Sequence, residues 1–267
     1  MKIILSRKGF DSENGETQSP ILPDGTLLSL PIPDEKGNNA FSSLSCKELE
    51  MNYYEIIHSL NPSTTITEND MCHLDPDLRK DVRKRKSGWK PAFGQADTAL
   101  SHLRNMGVAE GDLFLFFGLF KETEMYQGKL QYKKGAKEKH VIYGYMQVGS
   151  IIKRKDDAPE WLKDHPHIGD KKERKDENNA IFLPTDNLSF MPNVNGCGLL
   201  NYRKDRILTK EGMTKSKWDL PDFFKEVEIS YHPHPWKDNY FQSAAKGQEF
   251  VFEATPKILE WVKQIIE

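Results

Sequence analysis

An imidazole and two carboxylates occupy alternate positions in His73-Leu74-Asp75-Pro76-Asp77. On an extended segment alternate side chains project the same way, so His73, Asp75 and Asp77 could converge on a metal or share proton transfer. The Asp75-Pro76 pair is equally an ordinary helix start, with Asp75 capping and Pro76 at the first helical position. A second group, Ser6-Arg7-Lys8-Gly9-Phe10-Asp11, sets a hydroxyl, two cations and a carboxylate around a glycine. Guanidinium binds oxygens bidentately and glycine lets the backbone approach, so Ser6, Arg7, Lys8 and Asp11 suit a phosphate or carboxylate. A solvated turn accounts for the same residues. His165-Pro166-His167 and His232-Pro233-His234 share an HxH spacing that can place both imidazoles on one metal, usually with a carboxylate. Both also read as proline-rich turns, in which surface histidines without ligands are common.

Gln248 and Glu249 would offer an amide and a carboxylate at the start of a strand, groups that read a base edge well or simply pin a loop. If the first helical turn includes Gln95, then Gln95 and His102, seven residues apart, project from nearly one side of the helix, with the small Ala99 between them. His102 reads as a hydrogen-bonded core histidine or as a base. From Arg79 to Lys86 only Asp81 and Val82 interrupt a basic run. Arg79, Arg83, Lys84, Arg85 and Lys86, followed by Trp89, supply cations for phosphate and a ring for stacking. Charge runs are more often a solvated face.

The elements that must position these groups are legible in part. Lys2 to Ser6 reads as a first strand delivering Arg7 and Lys8 at its end. Ser45 and Glu48 have the spacing of a capping box ahead of Leu49, Tyr53, Ile56, Ile57 and Leu60. Ala96, Ala99, Leu100, Leu103 and Met106 recur at helical spacing before Gly107, and Leu113 to Phe117 is apolar enough for a central strand covered on both faces. His140 to Ile152 alternates as one long strand, bent at Gly144 or Gly149. Residues 153–179 are dense in charge and read as a long surface excursion. Glu228 to Tyr231 and Gln248 to Glu253 are further strands, and Thr255-Pro256 caps a closing helix. The predicted fold is α+β, one domain over 1–267. A mixed, strongly bent sheet approaches a small barrel, with helices at Ser45, Gln95 and Thr255 packed against it.

With 267 residues, 37% of them hydrophobic and 29% charged, the chain can bury a core. A formal net charge of -2 provides no general attraction for nucleic acid, so any such contact must be local. Lys2, Arg7 and Lys8 flank only Ile3, Ile4 and Leu5, so neither signal peptide nor membrane span is read and a cytosolic protein is expected. Cys46, Cys72 and Cys197 have no CxxC spacing and read as reduced thiols. Phosphate-cradling glycine loops, dinucleotide fingerprints and nucleophile elbows are absent from the sequence.

SRKGFD at Ser6 to Asp11, SPILPDG at Ser19 to Gly25, HLDPDL at His73 to Leu78 and GWKPAFGQ at Gly88 to Gln95 together resemble one family. So do GDLFLFFG at Gly111 to Gly118, HVIYGY at His140 to Tyr145, HPH at His165 to His167, SYH at Ser230 to His232 and GQEFV at Gly247 to Val251. The chain resembles the third type of nucleotide-modification-associated domain, met in bacteria and phages near genes for altered DNA bases. A lysine-rich stretch at 171–175 stands outside the resemblance as local decoration. The resemblance implies a partner, a nucleotide or nucleic acid, and carries no reaction with it. Three functions follow as expectations. The first is a nucleotide or DNA-base modification protein with a pocket walled by Ser6 to Asp11, His73 to Asp77, Gln95 with His102, and Gln248 with Glu249. The second is a non-catalytic reader of modified nucleic acid standing on Arg79 to Lys86. The third is a metal-dependent hydrolase using His73, Asp75, Asp77 and the HxH pairs.

Overall fold

A computed structural model describes residues 1–10, 15–169, 175–244 and 248–267. Its main strands are β1 (Lys2–Arg7), β2 (Ser19–Ile21), β3 (Met71–His73), β4 (Phe93–Ala96), β5 (Leu113–Tyr126), β6 (Lys129–Tyr132), β7 (Lys139–Ile152), β8 (Asn179–Pro184), β9 (Cys197–Leu199) and β10 (Glu249–Glu253). Three helices, α1 (Tyr53–Leu60), α2 (Asp97–Asn105) and α3 (Pro256–Ile266), accompany them. The principal sheet runs β10-β1-β5-β7-β8-β4, with β2 and β6 also on β5 and β9 on β7. β1 and β2 lie parallel to β5 and the other pairings are antiparallel, so the sheet is mixed. Leu113 to Phe117 are fully buried at its centre. This is what an uninterrupted apolar run demands, because both of its faces must be covered.

The sheet curls into a half-barrel. β7 carries register shifts between Ile142 and Gly144 and between Val148 and Ser150, and each extra residue bends the strand. Gly149 permits the second: a Cβ there would lie 2.7 Å from the Pro184 carbonyl oxygen. The concave face holds Ile4, Phe93, Phe114, Phe116, Tyr143, Met146 and Phe182, on which Leu100 and Leu103 of α2 pack. The opposite face holds Leu5, Leu115, Phe117 and Phe250 under Trp218, Phe224, Phe241 and the Ile258, Val262 and Ile265 stripe of α3. A third core forms around Ile56 and Ile57 of α1 with Leu28, Leu30 and Phe41.

Three expectations are corrected. The capping box ahead of α1 is made by Asn52 and Glu55: Glu55 N donates to Asn52 Oδ1 at 2.9 Å and Asn52 N to Glu55 Oε2 at 2.7 Å. The same spacing occurs twice in the sequence, and the apolar stripe beginning at Tyr53 decides between them. No helix starts at Pro76, because this segment instead runs along the outer edge of β4. Asp77 and Ala92 exchange backbone hydrogen bonds of 2.9 and 3.1 Å there. Glu228 to Tyr231 is no strand. Ser230 N donates to Val251 O, but Val251 N returns its bond to the Ser230 hydroxyl, which ends the ladder after one rung.

Candidate functional site

The two edge strands of the curled sheet, β4 and β10, meet through side chains: Gln95 Nε2 donates to Glu249 Oε1 at 2.6 Å. Glu249 is 1% exposed, and its Oε1 also accepts from Lys8 Nζ at 2.9 Å. Lys8 lies 4.5 Å over the Phe93 ring, so the cation is held between a carboxylate and an aromatic face. Ser6 faces Glu249 across the β1–β10 ladder. Ser6 Oγ and Glu249 Oε2 are both buried, and neither has a hydrogen-bond partner among the described residues.

Beside this seam lies a second polar group. Asp75, with its side chain 4% exposed, accepts from Gly94 N on the outer edge of β4 at 2.7 Å through Oδ1. His165 Nε2 stands 3.2 Å from the same oxygen. His167 N donates to His165 Nδ1 at 3.3 Å, which leaves the His165 ring proton on Nε2, facing Asp75. His73 Nε2 and His167 Nε2 are 3.2 Å apart, and they lie 4.0 and 3.9 Å from Asp75 Oδ2. His167 Nδ1 is bonded to Asn179 Oδ1 at 2.7 Å, and His73 Nδ1 to Asp34 Oδ2 at 3.2 Å. Gly94 makes the packing possible, since a Cβ there would lie 2.2 Å from His167 Cδ2. Burial alone would push the Asp75 carboxyl up. The close approach of His165 and the charges of His167, His165 and His73 outweigh it and hold Asp75 well below the usual carboxylate range.

Tyr143 of β7 is buried in the core of the same face. Burial pushes its phenol up, the Ser29 hydroxyl pulls it down, and the charges of Asp75 and Glu249 push it up further. Gly94 and Gln95, adjacent on β4, touch one group each.

The other residues singled out in the sequence are placed as follows. Arg7 points to the opposite face of the sheet from Ser6, donating to Ala244 O at 2.9 Å beside the Phe250 ring. Gln248 is exposed and its carbonyl takes the Arg7 amide. Asp11 lies outside the described residues. Asp77 is turned away from His73 and Asp75 and is held bidentately by Arg85, with both bonds at 2.6 Å. His102 Nε2 is 3.0 Å from Ser230 Oγ and its ring lies against Tyr231; burial lowers its pKa, against the pull of Glu249. His232 accepts from Ala244 N and bonds Ser230 O, while His234 is exposed, so this HxH pair does not meet the first.

In the basic run Arg79 pairs with Glu48 at 2.8 Å, Lys86 with Asp164 at 3.3 Å and Arg83 with Asp164 at 3.9 Å. Arg85 lies 4.3 Å over Trp89, and Lys84 is exposed.

Sequence reasoning missed Asp34, Gly94, Tyr143 and Asn179. Gly94, inside the GWKPAFGQ motif, and Tyr143, inside HVIYGY, carried a signal only through the family resemblance, and Asp34 and Asn179 carried none. The segment read as a surface excursion folds back. Ala158, Leu162 and Ile168 pack with Ala92 and Ile181, and His165 and His167 are buried at 4% exposure each.

Fold and site together define an α+β half-barrel with a buried carboxylate–imidazole cluster at its seam. The chain belongs to the family described as nucleotide modification associated domain 3, whose model matches residues 2–253. No curated protein matches the chain, and no solved structure does. None of the described helices is long and apolar enough to cross a membrane.

Proposed function

We propose that this chain holds a nucleotide, or a base presented by a nucleic acid, at the seam between β4 and β10, and acts on it with the adjoining His–Asp cluster. One observation carries the reading: Glu249, sealed in the concave side, has one oxygen fixed by Lys8 and Gln95 and a second buried oxygen without a partner among the described residues. A buried acceptor of this kind favours a ligand that donates, and a site built around it discriminates strongly against analogues that do not. A ring N–H with an exocyclic amine, as on a base edge, supplies such donors to a carboxylate. Lys8 and Gln95 fix one Glu249 oxygen and so set its rotamer, and Ser6 offers a hydroxyl that can donate or accept. Membership of a nucleotide-modification family agrees with a base as ligand.

The test has two stages. Nucleosides and nucleotides that accompany the purified protein are identified by mass spectrometry, and the one found is then titrated into wild-type and Glu249→Gln protein. A hydrogen bond to a charged group is worth about 1.5–3 kcal/mol, so Glu249→Gln weakens binding roughly tenfold to a hundredfold. Equal affinity of the two proteins, or no nucleotide ligand at all, overturns the proposal. A reader standing on Arg79 to Lys86 has less support, because Glu48, Asp77 and Asp164 already answer most of its cations.

A further inference from the structure

The three histidines and one carboxylate beside the seam are arranged by proton bookkeeping that leaves little freedom. Asn179 Nδ2 donates to His167 O at 2.8 Å, which fixes the amide so that its Oδ1 faces His167 Nδ1. An amide oxygen only accepts, so the His167 ring proton is on Nδ1. Asp34 Oδ2 likewise places the His73 ring proton on Nδ1. With those protons on Nδ1, the Nε2 atoms of His73 and His167 face each other 3.2 Å apart. Two lone pairs at that distance repel unless a cation, a shared proton or a metal ion, lies against both. Asp75 supplies the counter-charge: its Oδ1 is engaged by Gly94 N and His165, and Oδ2 is the oxygen turned to the two imidazoles.

We infer that His73, His167 and Asp75 form a binding site for one divalent transition-metal ion, with Asp34, Asn179 and His165 holding the ligands in place. The ligand atoms lie within 4.8 Å of one another. Metal bonds of about 2.0–2.2 Å call for ligand separations of roughly 3.0–3.6 Å, so a closure of a few tenths of an ångström completes the site. Two imidazoles and one carboxylate suit zinc or ferrous iron rather than magnesium, which prefers an all-oxygen shell. An imidazole whose other nitrogen donates to a carboxylate or amide oxygen is the usual metal-binding form. Three protein ligands leave coordination positions for water and a substrate atom, as a reactive rather than a structural ion requires. The site is independent of the nucleotide reading, since it needs only the protein and the ion.

Protein purified without chelator is analysed by plasma mass spectrometry, then stripped and titrated with cobalt(II) while visible absorption is recorded. The expected result is about one ion per chain and cobalt ligand-field bands that saturate at one equivalent. His73→Ala with His167→Ala abolishes both, and Asn179→Ala weakens cobalt binding roughly tenfold to a hundredfold. His73→Gln, at the more exposed edge of the cluster, is the companion variant. If it keeps the wild-type circular dichroism and melting temperature but loses the bands, unfolding is not the cause. His58→Ala with His234→Ala, at exposed positions, leaves the stoichiometry unchanged. Under a tenth of an equivalent in wild-type protein, or full occupancy in the His73/His167 double variant, overturns the site. Nucleotide retention by metal-free wild-type protein would then leave the seam proposal standing by itself.

Discussion

Asp75 and Asp77 are two residues apart in one motif and have unrelated duties. Asp75 is drawn into the imidazole cluster, whereas Asp77 and Arg85 form a pair in which each side chain is 6% exposed. Removing one partner of a buried pair strands the other charge without water, at a cost of about 3–5 kcal/mol. Arg85→Ala is therefore expected to lower the unfolding free energy measured by chemical denaturation by that amount. A loss under 1 kcal/mol would mean that Asp77 is solvated in solution. Gly94 is the other residue on which the cluster turns. In Gly94→Ala the new methyl competes with the His167 ring for the same space, and overpacking of this kind costs roughly 1–3 kcal/mol. Cobalt binding should weaken together with stability, while Ala92→Gly, two residues away and just before β4, should spare the cobalt bands.

At the scale of elements, β7 carries a buried histidine that makes the fold sensitive to acid. His140 Nδ1 accepts from Trp218 Nε1 at 3.0 Å, and burial, with Arg7 and Lys215 nearby, pushes its pKa down to about 3 from 6.5. The folded protein thus keeps this ring neutral where the unfolded chain protonates it. Stability is full above pH 6.5 and falls as the pH drops toward 3, because the unfolded state binds the extra proton. Between pH 7 and pH 5 the loss from this group is roughly 2 kcal/mol, and chemical denaturation at the two pH values measures it. His140→Gln, which cannot titrate, should flatten the profile by about that much. An unchanged slope would assign the acid sensitivity to other groups, His232 among them.

For the molecule as a whole, a net charge of -2 and an internally paired basic run leave little field for phosphate. Replacing Arg83, Lys84 and Lys86 with glutamine is expected to leave affinity for generic duplex DNA unchanged. The slope of log affinity against log salt should shift by less than one, where loss of three phosphate contacts would shift it by nearly three.

The sequence by itself determined the strands and helices whose periodicity is local: the β5 core run, the long β7 with its glycine bends, the α2 and α3 stripes, and hence a mixed, bent α+β sheet. It also carried the family through motifs spread along most of the chain. It did not determine which candidates share a site. Asp34, His73, Asp75, Gly94, His165, His167 and Asn179 come from distant segments and meet only because the curled sheet brings β4 beside β8 and β10 and a charged segment folds back over it. The alternatives at Asp75, Arg7 and the two HxH pairs are not separated by their neighbours in the sequence. Only tertiary structure chose among them, because desolvation and the direction of a neighbour's lone pair are properties of what lies across space.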